Sequence, residues 1–166
     1  MTDAVVTLKK GEGRYLQKGG PWIYNNEIAD ISPGAEDGGL VRVCGENGWP
    51  LGQGFLNRRS KLTVRMLTRD PDAEINEDFF LMRLKNAWEY RKKVVDTSSC
   101  RLVFGEADFL PGLVVDKFSD VLVVESLALG IDRLKPVILD KLLQVLAKDG
   151  VEIRGVYERS DAKVRL

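Results

Sequence analysis

Residues 101–125 read RLVFGEADFLPGLVVDKFSDVLVVE, and their pattern decides how the second half of the chain folds. The run predicts a strand, an acidic turn, a Leu-Pro-Gly corner, a strand, a turn and a further strand. Pro111 fixes φ and Gly112 supplies a positive φ, the two demands of a type II turn. That reading places Phe109, Leu110 and Val114 in the core. Glu106, Asp108 and Asp116 flank the corner. Clustered carboxylates can bind a metal or serve as acid and base. With no histidine and no ligand spacing, they read as turn residues.

Outward from this meander the period changes to that of helices. Upstream, Asn76 caps a predicted helix whose inner face is Phe80, Leu84, Ala87 or Trp88, Arg91 and Val95. Glu77 and Asp78 suit its N-terminus, and Arg91, Lys92 and Lys93 its C-terminal part. Downstream, Leu134, Ile138, Leu142 and Val145 or Leu146 stripe another helix, with Pro136 tolerable only in its first turn. Asp149-Gly150 stops it, and Glu152 to Tyr157 returns as a strand. Arg159-Ser160-Asp161 ends that strand, either as a local turn with a surface ion pair or as a contact to a ligand or neighbouring domain. This half is α+β.

Arg69-Asp70-Pro71-Asp72 marks the boundary, giving domains over 1–70 and 71–166. Before it, short alternating segments are punctuated by glycine. Ala4 to Lys9, Trp22 to Asn25, Glu27 to Ile31, Leu40 to Cys44, Pro50 to Leu56 and Lys61 to Leu67 read as strands, with one helical turn over Arg14 to Lys18. Asn47-Gly48 makes a hairpin turn, and Gly52 and Gly54 imply a bulge or close packing. So many short strands in seventy residues predict a small β-barrel.

Composition narrows the chemistry. The absence of histidine removes Ser-His-Asp and Cys-His catalysis and any histidine metal site. Two cysteines, Cys44 and Cys100, make neither a disulfide framework nor a zinc site and read as small buried hydrophobes. Apolar runs are too short to span a membrane, and the N-terminus lacks the apolar core of a signal peptide, so the expected compartment is the cytoplasm. The net charge is zero, so an argument for nucleic-acid binding must come from local clustering.

One such cluster is Asn57-Arg58-Arg59-Ser60-Lys61, between two predicted strands. Its cations can neutralise phosphates, and Asn57 and Ser60 can donate hydrogen bonds. Arg14 and Lys18 are candidates to join it. Trp22, after Gly19-Gly20-Pro21, either stacks on a base or caps the barrel core. The GEG at 11–13 does not match a dinucleotide-binding loop.

Together these segments resemble the bacterial S-adenosylmethionine-dependent methyltransferases that make 5-methylcytosine in large-subunit ribosomal RNA. Lys9-Lys10-Gly11, Gly19 to Ile23, Glu27-Ile28 and Asn57 to Arg65 are similar to that family's N-terminal PUA domain, an RNA-binding β-barrel. Gly105-Glu106, Asp108, Leu110-Pro111-Gly112-Leu113, Val115-Asp116 and Glu158-Arg159-Ser160-Asp161 are similar to its central α+β domain. Where the family commonly has histidine before Pro-Trp, this chain has Gly20. No segment resembles the Rossmann-like catalytic domain with its glycine-rich cofactor loop and cysteine nucleophile, and Cys44 and Cys100 lie in the wrong domains to replace that cysteine.

The resemblance implies the front portion of a longer enzyme, with the Rossmann-like domain absent from this chain. In the longer enzyme a thiolate adds to C6 of cytosine, C5 takes the methyl group, and a base removes the C5 proton. This chain is then expected to bind ribosomal RNA through Lys10, Arg14, Lys18, Trp22, Asn57, Arg58, Arg59, Ser60 and Lys61. Glu106, Asp108, Leu110, Pro111, Gly112, Asp116, Arg159, Ser160 and Asp161 are expected to wall one side of the cleft. It is expected to hold no catalytic residue, no metal and no cofactor, S-adenosylmethionine belonging to the longer enzyme, and to touch no membrane. The alternatives are a stand-alone PUA-type RNA-binding module and a central domain that serves only packing or dimerisation; a homodimer stays open.

Overall fold

The structure, a computed structural model, describes residues 4–160. The chain forms two compact units. One comprises the residues up to Glu74 together with Ala128–Gly130, and the other Ile75–Leu127 and the residues from Ile131 on.

The first unit is built on β1 (Val5–Leu8), a single-turn helix α1 (Arg14–Gln17), β2 (Trp22–Tyr24), β3 (Ile28–Ile31), β4 (Leu40–Cys44), β5 (Pro50–Leu56) and β6 (Leu62–Thr68). These make one six-stranded sheet in the order β2-β6-β5-β4-β1-β3. The β1–β4 pair is parallel and its neighbours are antiparallel. The expected barrel is therefore a half-barrel, because among the described residues no ladder joins the terminal strands β2 and β3. A 3₁₀ turn at Asn25–Glu27 separates them: the Glu27 carboxylate accepts from Tyr24 N at 2.7 Å, and Lys9 Nζ donates to the Asn26 carbonyl at 2.7 Å. The turn sends the chain from pairing with β6 to pairing with β1.

Alternation governs the core. Val6, Leu8, Ile23, Val41, Val43 and Val64 are completely buried, and most of their strand neighbours face outward or are half-covered, Cys44 and Thr63 being buried as well. In β5 burial is nearly continuous because glycines let β6 approach closely. A Cβ on Gly54 would lie 2.5 Å from the Arg65 carbonyl, and the register shifts beside it. The hairpin at Asn47-Gly48 differs in detail from the expected primed turn. Only Gly48 has a positive φ, 77°, while Asn47 contributes its side chain, accepting from Trp49 N at 3.2 Å.

The second unit contains α2 (Glu77–Val94), β7 (Ser99–Phe104), β8 (Leu113–Phe118), β9 (Val121–Ser126), most of α3 (Leu129–Lys148) and β10 (Gly155–Glu158), with sheet order β10-β9-β8-β7. Asn76 caps α2, its Oδ1 accepting from Phe79 N at 3.0 Å. Phe80, Leu84, Ala87, Trp88 and Arg91 form the buried face. Val95 leaves it, since the helix has already ended and the side chain is exposed. The indole of Trp88 donates to Asp149 Oδ2 at 2.8 Å, so its polar atom is satisfied.

Helix α3 begins at Leu129, before the expected start, which puts Pro136 inside the helix rather than in its first turn. Burial of Ile131 on the same face as Ile138 and Leu142 favours the extra turn despite the bond that proline cannot make. Gly150, at φ 72°, ends the helix, with Val151 N donating to the Leu146 carbonyl at 3.0 Å. Because α3 carries the chain back across, β10 pairs with β9 in parallel.

Candidate nucleic-acid interface

The loop between β5 and β6 is ordered by its own polar residues. Asn57 N donates to the Thr63 carbonyl at 2.8 Å, Asn57 Oδ1 accepts from Arg59 N at 3.0 Å, and Ser60 Oγ accepts from Leu62 N at 3.2 Å. Asn57 and Ser60 thus shape the turn rather than standing ready for a ligand. Arg58 is also engaged: its guanidinium donates to Asp37 Oδ1 at 3.2 Å and to the Ala35 carbonyl at 2.7 Å, fastening the loop to the turn before β4. Arg59 and Lys61 are exposed, and among the described residues their side chains have no partner.

Strand β2 runs beside that loop. Asn25 N donates to the Lys61 carbonyl at 2.9 Å, and Tyr24 registers with Leu62. Since Ile23 is completely buried, Trp22 and Tyr24 take the outer face. Trp22 is half-buried and sits opposite Arg65 in the register. Tyr24 and Arg65 were not among the sequence candidates; the alternation around Ile23 and Val64 is the signal that identifies them. Two aromatics and three cations therefore occupy one edge of the sheet.

Lys10, Arg14 and Lys18 are exposed on the turn after β1 and on α1. Among the described residues no hydrogen bond or ion pair joins their side chains to the β5–β6 loop. Pro21 follows a tight corner at Gly19-Gly20, where a Cβ on Gly20 would run into the ring of Tyr15.

In the second unit the carboxylates are structural. Asp108 accepts from Arg91 Nη2 at 2.7 Å and from Phe104 N at 2.6 Å, in a pair whose side chains are 11% and 9% exposed for Arg91 and Asp108. Asp116 pairs across the strands with Arg101 at 2.8 Å. Glu106 is half-buried in the 3₁₀ turn Gly105–Asp108. Among the described residues no group of three histidine, cysteine, aspartate or glutamate side chains could hold a metal. Leu110, Pro111 and Gly112 are buried, and Leu113 N closes the corner on the Leu110 carbonyl at 3.0 Å.

Phe109 departs from the expected core position. It has φ 58° and is 68% exposed, with its carbonyl held by Arg83. Arg83 lies 4.0 Å from the Phe79 ring centroid, and burial pushes its pKa down to about 10. At the strand end, Arg159 N donates to the Val124 carbonyl at 2.8 Å, and Ser160 Oγ accepts from Ser126 N at 3.0 Å. Asp161 lies outside the described residues. Burial raises both thiols above their ordinary 9.0, partly opposed at Cys44 by Arg42 and at Cys100 by Lys117 and Arg91. Neither is an activated nucleophile.

Residues 6–69 match the family of PUA-like domains. Over nearly its whole length, that segment included, the chain is homologous to proteins named ribosomal RNA large subunit methyltransferase I. It is 34% identical over 165 residues to the one from Alteromonas mediterranea, and 34% identical over 164 residues to the one from Shewanella frigidimarina. These alignments take in 98% and 96% of this chain but 40% of each relative. The chain therefore spans about 40% of the length of these relatives. A structure described as a putative SAM-dependent methyltransferase from Streptococcus mutans superposes with a TM-score of 0.78 at 16% identity, covering 94% of this chain and 40% of that one. A structure described as a putative methyltransferase complexed with SAH superposes at 0.76 and 17% identity, covering 94% and 39%. At such identities these two establish the shared fold.

Proposed function

We propose that this chain is the N-terminal, RNA-holding portion of a SAM-dependent methyltransferase that forms 5-methylcytosine in large-subunit ribosomal RNA. Residues 1–70 form the PUA-like RNA-binding domain and 71–166 the central domain that presents substrate to a catalytic domain. The relatives' common name and the PUA-like match support the substrate class. The observation that supports RNA binding is the sheet edge where Trp22, Tyr24 and Arg65 lie beside Arg59 and Lys61, whose side chains have no partner among the described residues. Aromatic faces stack bases and cations follow the backbone, the usual division of labour in single-strand recognition. Arg58, Asn57 and Ser60 act by holding the loop, and Lys10, Arg14 and Lys18 add positive charge on the turn after β1 and around α1. S-adenosylmethionine belongs to the complete enzyme. Chemistry on C6 needs a thiolate, and both thiols here are raised toward their protonated form. The site of action is the cytoplasm.

The test is RNA affinity as a function of salt. Each lost single-strand phosphate contact reduces the slope of log K against log salt by about 0.7, so R59A/K61A is expected to bind more weakly with a slope about 1.4 shallower. Unchanged affinity and slope would remove this face as the interface. Labelled methyl transfer by this chain alone is expected to be nil; a transferred methyl group would refute the division of labour.

A further inference from the structure

The corner between β7 and β8, in the second unit, commits most of its side chains to the fold. Leu110 and Pro111 are buried, Glu106 is half-buried, and Asp108 is held by Arg91 and by Phe104 N. Phe109 is the large side chain that the corner leaves in solvent. Its ring is 68% exposed, and its backbone stands at φ 58°. Glycine adopts that conformation freely, whereas a side chain there is strained. A ring in water returns no burial energy to offset the strain. Arg83, on α2, braces the residue: its guanidinium donates to the Phe109 carbonyl. The same guanidinium lies 5.8 Å from the Phe109 ring centroid and 4.0 Å from that of Phe79. Burial lowers the Arg83 pKa only to about 10, so the group stays cationic near neutrality.

The fold therefore displays one flat ring, at a cost, with a cation against it. Backbone strain of this kind collects at ligand clamps and active sites. The display selects among partners. A protein interface of ordinary size needs about 800 Å² from each side, and this corner offers a single ring. An inorganic anion would gain nothing from the ring. An unpaired base gains from it directly: every base has a π face, stacking on an exposed aromatic needs no particular sequence, and a nearby arginine adds to it. Arg83 fixes the ring twice, through the carbonyl behind it and through the charge beside it.

We propose that Phe109 is a positioning residue of the second unit, stacking on one unpaired nucleobase of the bound RNA while Arg83 holds its ring in place. This rests on the RNA-binding function proposed above and adds a contact that the β2 edge and the β5–β6 loop do not make. Single-stranded polycytidylate is titrated by fluorescence anisotropy at several salt concentrations against the wild-type chain, Phe109→Gly, Phe109→Leu and Phe109→Trp. Thermal midpoints check that each variant folds. Loss of one stacked base is expected to weaken Phe109→Gly and Phe109→Leu about tenfold. Their salt slope should not change, because no phosphate contact is lost. Phe109→Trp keeps a flat ring and should bind at least as tightly as wild type. If Phe109→Leu matches wild type, or Phe109→Trp is as weak as Phe109→Leu, stacking is refuted, whether or not the glycine variant folds. A slope shallower by about 0.7 in Phe109→Leu would mean a lost phosphate contact instead and would also refute it. If all three variants bind as wild type while R59A/K61A is impaired, the proposal fails, RNA binding stands, and the ring is left to a protein contact. If the wild type binds no RNA, both readings fall.

Discussion

Arg58 and Arg59 are adjacent, identical in type, and opposite in role. Arg58 is committed to Asp37 and the Ala35 carbonyl, while the Arg59 side chain projects from the same loop with no partner among the described residues. The partner of Arg58 lies 21 residues away, so nothing local in the sequence separates the two. Residue type was legible; partnership was not. Phe109 makes the same point through the backbone. A left-handed conformation costs a non-glycine residue about 1–2 kcal/mol, and Phe109 adopts it with its ring in solvent. Asp108, anchored by Arg91 and by Phe104 N, and Arg83, which holds the Phe109 carbonyl, impose it. Because the strain is in the backbone, Phe109→Gly is expected to raise stability by up to about 1 kcal/mol, the glycine's extra unfolded-state entropy cancelling part of the gain. Urea unfolding measures this. A loss of stability would mean that the ring's contact with Arg83 outweighs the strain.

At the scale of elements, the meander β7–β8–β9 was legible because its determinants are local: alternation in each strand, a Pro-Gly corner and a turn at Ser119, where φ is 54°. The parallel pairings β1–β4 and β9–β10 were not, since they depend on what the intervening chain does. The start of α3 was misplaced because Pro136 suggested a first turn that burial of Ile131 overrides. Strand β5 hid a further determinant. Gln53 is 3% exposed, and its Nε2 donates to the carbonyls of Pro71 at 3.2 Å and Ala73 at 2.8 Å. A polar residue between two glycines carries no pattern that marks it as buried, yet this amide ties β5 to the segment after β6. Gln53→Leu preserves volume and abandons those carbonyls, so it is expected to cost about 1–3 kcal/mol. Hydrogen exchange should rise locally around residues 70–74. A variant as stable as wild type would show that these carbonyls find water instead.

Over the whole molecule, the absence of histidine shapes the response to pH. Asp149 is held below its ordinary 3.8 by hydrogen bonds from Lys92 and Trp88, and Asp120 by its bond from Arg154. A depressed carboxylate adds stability that is complete above the unfolded value and is lost as pH falls through the folded one. Lys92 and Lys141 are raised above 10.5 by Asp149 and Glu77, and burial raises both thiols above 9.0. Raised groups act in the opposite sense: their contribution is complete below the unfolded value and is lost as pH rises through the folded one. The residue type that ordinarily titrates nearest neutrality is missing, and the thiols have moved away from that range. Stability is therefore expected to be flat from about pH 5 to pH 8.5 and to fall on both sides. Thermal midpoints across that range test this, with Asp149→Asn expected to flatten the acid limb. A midpoint that changed steeply between pH 6 and pH 8 would require a group coupled to folding that none of these interactions supplies.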